Sequence, residues 1–185
     1  ERLSEVRTQL EAMSEQADGY KQMQETFHIP PHEFTQLRDT ISQYELKHEI
    51  WTKLHTWNEA QFAWKSESFH ELDVEGMVKE VMQYYKDVHK MSKRLPQDAV
   101  VAMFKESVED FKDATPVITD LGNEALAERH WKRIFDRLEQ PFFAGSTFTM
   151  EQLLRFGVLS HAEFIGEVSA VASGEWSLEP LLTKI

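Results

Sequence analysis

The chain has 185 residues, with 32 acidic and 20 basic side chains and a formal net charge of −12. The absence of cysteine excludes disulfides, zinc–thiolate sites and thiol nucleophiles. The acidic balance argues against a nucleic-acid partner, because phosphate binding needs clustered Lys and Arg. No apolar stretch approaches the ~18 residues of a membrane span.

The N-terminal segment has the spacing of a coiled-coil helix. Apolar residues recur at intervals of three and four from Leu3 to Phe27, with one gap at Gln24. Pro30-Pro31 ends this helix, since proline removes a backbone donor and restricts the residue before it. A second long helix is predicted from about Phe34 to Phe69.

Three tryptophans lie at helical spacing in the second helix. Trp51, Trp57 and Trp64 are interpreted as a packing seam rather than a ligand box, because indoles bury much area at helix contacts. Ile50 and Leu54 share one apolar stripe with Trp57 and Trp64.

Three further helices follow, each with a polar residue at its start. Asp73 and Asp98 are predicted N-caps of a third and a fourth helix. Thr115-Pro116 is expected to end the fourth helix and leave a short turn from Pro116 to Leu121. Asn123 is predicted to cap a fifth helix that contains four apolar residues, Leu126, Trp131, Ile134 and Leu138.

The C-terminal part has a loop, Pro141 to Thr147, and two capping boxes. The boxes pair Thr149 with Gln152 and Ser160 with Glu163. Gly157 and Gly174 stand where helix C-termini favour a left-handed residue, and Pro180 is expected to open or kink a last segment. The predicted fold is all-α, an elongated helical bundle with long antiparallel helices and a coiled-coil-like N-terminal helix.

A search for chemistry finds no catalytic, cofactor-binding or metal-binding residue. His28 and His32 are four residues apart, but Pro30-Pro31 prevents them from sharing a helical face. His48 and His55 lack a third ligand at helical spacing. The abundant carboxylates are interpreted as the solvent-exposed faces of helices. The segment Ala144-Gly145-Ser146-Thr147 lacks the lysine and the glycine spacing of a phosphate-binding loop.

One segment resembles a known family. Residues 116–131 contain, in order, a proline, two adjacent hydrophobic residues, a leucine, a short run of small and polar residues, and the triplet Arg129-His130-Trp131. This series resembles the N-terminal part of the linker region of dynein heavy chains. The resemblance covers about Ile41 to Ile185. Its other landmarks are Trp51, Trp57 and Trp64, Phe69 to Asp73, Phe148 to Leu154, His161 to Ile165, and Ala172 to Glu179.

The resemblance implies a mechanical role. Residues 1–30 would be a helix from the tail, and residues 31–185 would be the N-terminal portion of the linker bundle. The linker connects the tail to a ring of AAA modules that bind and hydrolyse ATP elsewhere in the heavy chain, and its swing drives microtubule-based movement. The residues expected to matter for packing are Trp51, Trp57, Trp64, Pro116, Leu121, Arg129, His130 and Trp131.

The same resemblance sets the expected partners and location. The partners are the AAA ring and the tail of the same heavy chain, together with other dynein subunits, and no nucleic acid, membrane, cofactor or direct microtubule contact is expected. The downstream segment resembles axonemal chains more than cytoplasmic ones, so a cilium or flagellum is favoured. The chain ends before the tryptophan that usually follows in this family, so a fragment of a larger protein is expected.

Two other interpretations stay open at the level of sequence. One is a helical-bundle or coiled-coil adaptor that scaffolds a cytoskeletal complex, which composition and periodicity do not separate from a dynein segment. The other is an enzyme, which no motif supports and which an ATPase assay would test.

Overall fold

The computed structural model describes residues 2–182, and the side chains of residues 3–178. In this part of the chain there are helices and no strand, apart from one isolated bridge between Ser68 and Thr149, so the all-α prediction is confirmed. A 3-10 helix occupies Val158–His161. The α-helices are α1 (Arg2–Thr26), α2 (Thr35–Ser66), α3 (Val74–Arg94), α4 (Ala99–Leu121), α5 (Glu128–Arg137), α6 (Met150–Arg155) and α7 (Ala162–Leu182).

The chain divides into two compact units, residues 1–56 and residues 57–185. In the first unit, α1 and the first part of α2 face each other across an open cavity of about 730 Å³. The Tyr44 hydroxyl donates a hydrogen bond to the Leu3 carbonyl at 2.9 Å. Of the predicted α1 seam, Leu10 and Ala17 are buried, whereas the other members are exposed. The helix itself and its end before Pro30 are confirmed.

The second unit is built on the pair of helices α3 and α4. Asp73 accepts a hydrogen bond from the Gly76 N–H and Asp98 accepts from the N–H groups of Val100 and Val101, so both predicted caps are confirmed. Such caps satisfy backbone donors that the first helical turn leaves without partners.

The predicted end of the fourth helix at Thr115-Pro116 is wrong, because α4 continues to Leu121. Pro116 has no N–H to donate to the Lys112 carbonyl. The Thr115 hydroxyl donates to that carbonyl instead, at 2.6 Å. Ile118 and Leu121 are buried, so continuing the helix also keeps its apolar face in the core.

The predicted cap of the fifth helix is also wrong, because α5 begins at Glu128 after the N-cap residue Ala127. Leu126 therefore precedes the helix, and Leu138 follows its last residue. The Asn123 side chain accepts a hydrogen bond from the Ala125 N–H at 3.0 Å. It therefore closes a turn between α4 and α5 rather than starting a helix.

The C-terminal part follows the local signals only in part. The box of Thr149 and Gln152 is confirmed, and Gly157 adopts a left-handed φ of 83° after α6. The second box is wrong, because Ser160 lies inside the 3-10 helix.

The predicted C-terminal position of Gly174 is wrong, since α7 runs through it and through Pro180 to Leu182. The loop from Pro141 to Thr147 is confirmed. Of the predicted last segment, residues 183–185 lie outside the described residues.

Candidate functional site

The start of α5 lies in an aromatic cluster centred on Trp131, which is 5% exposed. Its ring centroid is 4.8 Å from that of Phe148, 5.5 Å from His70 and 6.2 Å from Phe69. The Phe69 N–H donates to the Phe148 carbonyl at 2.8 Å, which joins the two loop segments beside the indole. Edge-to-face and tilted ring pairs of this kind add to the energy of burial. The cluster therefore holds α5 against the α2–α3 connection and the segment before α6.

Beside the cluster, three side chains form a polar clamp between α5 and α7. The Arg129 guanidinium donates to Glu175 Oε2 through both Nε and Nη2. His130 Nε2 lies 3.2 Å from the same oxygen, while His130 Nδ1 accepts the Ala127 N–H at 3.1 Å. A neutral imidazole that accepts at Nδ1 carries its hydrogen on Nε2, so it can donate to Glu175.

The clamp changes the acidity of its carboxylate. The hydrogen bond from Arg129 holds the pKa of Glu175 below its ordinary value, and the charge of Arg129 and the hydrogen bond from His130 act in the same direction. Hydrogen bonds that favour the charged form of a carboxylate lower its pKa. The carboxylate is therefore kept in the state that binds both partners.

A third contact ties the α4–α5 turn to α7. The Asn123 Nδ2 lies 2.7 to 3.0 Å from three acceptors, the Ser169 carbonyl and the hydroxyls of Ser169 and Ser173, which share its two hydrogens. We call the aromatic cluster, the polar clamp and this contact together the α5 junction. Ser169 and Ser173 are four residues apart and therefore lie on one face of the helix. This spacing predicts a polar face from sequence alone, but it does not identify Asn123 as the partner.

The structure brings only part of the predicted packing set together. Arg129, His130 and Trp131 lie at the α5 junction, and Leu121 lines the same open cavity as Trp131, of about 830 Å³. Pro116 is exposed within α4.

The tryptophans of α2 have different environments. Trp57 is fully buried, its Nε1 donates to the Ser107 hydroxyl at 3.0 Å, and its ring centroid lies 6.0 Å from that of Trp64. Both pack on Phe111. Trp51 is 48% exposed and belongs to the first unit, so it is not part of this cluster.

The junction has the chemistry of a structural contact. Among the residues that the structure describes, no buried side-chain nitrogen or oxygen lacks a hydrogen-bond partner. Over the same residues, no three His, Asp or Glu side chains are placed to hold a metal ion. No helix in the described part is both long and apolar enough to cross a membrane.

These features define a helical module in which the polar groups of the α5 junction connect helices and turns. The chain belongs to the family described as dynein heavy chain, N-terminal region 2, whose model matches residues 37–185. The resemblance noted from Arg129-His130-Trp131 and its flanking landmarks is therefore confirmed.

Relatives in two organisms support this membership. The chain is 32% identical over 184 residues to dynein axonemal heavy chain 6 of Homo sapiens, which aligns 99% of this chain with 4% of that protein. It is 29% identical over 188 residues to human dynein axonemal heavy chain 2, covering 100% of this chain and 4% of the relative. With the dynein-1-beta heavy chain of the flagellar inner arm I1 complex of Chlamydomonas reinhardtii, it shares 30% identity over 154 residues, 83% of this chain and 3% of the relative. The chain thus spans only 3–4% of the length of these relatives.

Proposed function

We propose that this chain is a non-catalytic mechanical segment of a dynein heavy chain, in the linker that connects the tail to the AAA ATPase ring. The observation that carries the proposal is the family match over residues 37–185. In this role the segment contributes to the microtubule-based power stroke without binding nucleotide or microtubules itself. Its partners are the AAA ring and the tail of the same heavy chain, and other dynein subunits.

The proposed division of labour follows the chain. Residues 1–30, which include α1, form the end of the tail, and residues 31–185 form the N-terminal portion of the linker. The family match begins at residue 37, close to that boundary.

The α5 junction supports a load-bearing role within the second unit. Its contacts join the α4–α5 turn, α5 and α7 through side chains 46 residues apart, as in Asn123 with Ser169 and Arg129 with Glu175. Buried aromatic packing resists separation of α5 from the α2–α3 connection and from the segment before α6, and the charge-assisted hydrogen bonds fix the register of α5 and α7. A segment that transmits force needs helices that do not shift against each other.

The proposed location is the axoneme of a cilium or flagellum. Both human relatives named above are axonemal heavy chains, and the algal relative is described as part of a flagellar inner arm complex.

The isolated chain provides the first test. Purified chain should show no ATP hydrolysis above a buffer blank and should stay in the supernatant when microtubules are sedimented. Turnover that copurifies with the chain, and that persists in a second preparation made with a different tag, would contradict the proposal. Saturable cosedimentation with microtubules would contradict it as well.

A further inference from the structure

One face of α1 carries an uncharged stripe that the described residues leave open. Its positions recur at intervals of three and four over 22 residues, in a chain of which 28% is charged. Its apolar members are 42 to 72% exposed. We call this set the α1 stripe: Val6, Gln9, Met13, Gln16, Tyr20, Met23 and Phe27.

The two flanks of the α1 stripe differ. On one flank, Leu10 and Ser14 line a cavity together with Ile41 and Tyr44 of α2, so α2 lies on that side. The other flank carries the small residues Ala12, Gly19 and Thr26 at intervals of seven. A Cβ added at Gly19 would meet no atom within 4 Å, so packing within the described chain does not explain a residue that weakens a helix.

The size of the stripe indicates what can cover it. Its five apolar side chains expose on the order of 500 Å² of surface to solvent. This area is towards the upper end of the range for the largest apolar patch on a monomeric protein. Two copies brought face to face would bury on the order of 1,000 Å², which is the lower bound for a specific interface. A stripe with a heptad repeat is also complementary to itself, because equivalent positions face each other in a parallel pair.

We propose that α1 mediates a weak parallel self-association of this chain through the α1 stripe. In a parallel pair, Gln9 faces Gln9 and Gln16 faces Gln16 of the second copy, so the amides can hydrogen-bond to each other, while the apolar positions meet apolar ones. An antiparallel pair would place these amides against apolar side chains, where they could not form these hydrogen bonds.

The flanks favour the same orientation. In a parallel pair the α2 side of one copy meets the opposite flank of the other copy. That opposite flank carries the small residues Ala12, Gly19 and Thr26, which leave room there for the second helix of the partner. In an antiparallel pair the two α2 sides would meet each other.

Sedimentation equilibrium on the 185-residue chain, from about 1 to 200 µM, tests the association. The mass should rise with concentration from 21.7 kDa towards twice that value, with a dissociation constant that lies within this concentration range, because an interface of about 1,000 Å² supports only a weak association. Met13→Glu should raise that constant at least tenfold. Gln22→Glu adds the same charge on the opposite face and should leave it unchanged.

Cross-linking tests which face of α1 lies in the pair. Because the chain has no cysteine, Gln16→Cys and Glu15→Cys each introduce a single thiol; Gln16 belongs to the α1 stripe, and Glu15 lies outside it, about 100° further around the helix. In a glutathione redox buffer, Gln16→Cys should form disulfide-linked dimers at least tenfold faster than Glu15→Cys.

Three results would overturn the proposal. The first is a mass that stays at the monomer value at all concentrations, with equal cross-linking of the two variants; the stripe would then be open to a helix from elsewhere in a longer chain. The second is an association that Met13→Glu does not weaken. The third is preferential cross-linking of Gln9→Cys with Tyr20→Cys in a mixture, which would show an antiparallel pair.

Discussion

Replacing Trp131 by alanine should destabilise the second unit more than any other truncation at the α5 junction. The indole is 5% exposed and lies against Phe148, His70, Phe69 and Phe135, with centroid distances of 4.8 to 6.3 Å. Alanine would leave a cavity bounded by three separate segments. These segments are also fixed by the hydrogen bond from Phe69 to Phe148, so they cannot easily close over it.

The expected magnitude follows from this burial. Truncation of a buried tryptophan costs about 3–5 kcal/mol, and a site that cannot collapse belongs in the upper half of that range. For a unit of the size of residues 57–185, this corresponds to a fall in melting temperature of roughly 10–20 °C. Trp131→Phe keeps one ring in the cluster and should recover about half of the loss.

The assay is urea unfolding of the 185-residue chain, followed by circular dichroism. Trp176→Ala is the matched control, because Trp176 lines the same cavity as Trp131 but is 61% exposed. Its effect should stay within about 0.5 kcal/mol, as for surface substitutions in general. If Trp131→Ala costs no more than Trp176→Ala, the aromatic cluster does not hold α5 in place and the reasoning fails.

Two further substitutions test the continuation of α4 through Pro116 and the polar clamp. Pro116→Ala should stabilise the chain by about 1–3 kcal/mol in urea unfolding, because it removes a ring from a helix interior and adds a backbone N–H facing the Lys112 carbonyl, which now accepts only from the Thr115 hydroxyl; a loss of stability would show that the proline ring is needed. For the clamp, the pKa of Glu175 is lowered in the folded chain by Arg129. Its contribution to stability is therefore present above the unfolded-state pKa of about 4.3 and is lost as the pH falls through the folded-state pKa. Glu175→Gln should thus reduce the drop in the urea midpoint between pH 6 and pH 3, whereas Glu167→Gln, an exposed change on the same helix, should not; equal behaviour of the two variants would argue against the clamp.

The features that sequence reasoning predicted correctly are local in the chain. Asp73, Asp98 and Thr149 act on N–H groups two or three residues away, so the cap and its target appear together in any short window. The helical periodicity is equally local, and it indicated an all-α fold from residues a few positions apart.

The errors arose where a distant or compensating contact overrode a local signal. Pro116 breaks helices in general, but the Thr115 hydroxyl takes over the lost hydrogen bond. Asn123 is a good cap residue, but its amide is engaged by Ser169 and Ser173 of α7. A single sequence does not reveal such partners.

The polar clamp shows the same limit. The triplet Arg129-His130-Trp131 stood out because of a family resemblance, whereas its carboxylate partner lies 46 residues away. With 32 acidic residues in the chain, charge alone could not single out Glu175. Only the fold places it opposite the guanidinium.

The most direct test of the mechanical proposal is the coupling between ATP hydrolysis and movement in the intact heavy chain. The distance that a microtubule glides per ATP hydrolysed would be measured for heavy chains carrying Glu175→Gln, which loosens the clamp without opening the core, and Glu167→Gln as the matched control. The account predicts a shorter distance per ATP for Glu175→Gln, with the ATPase rate and the control unchanged. A loss of ATPase activity in proportion to the loss of movement, or movement unaffected by either variant, would contradict it.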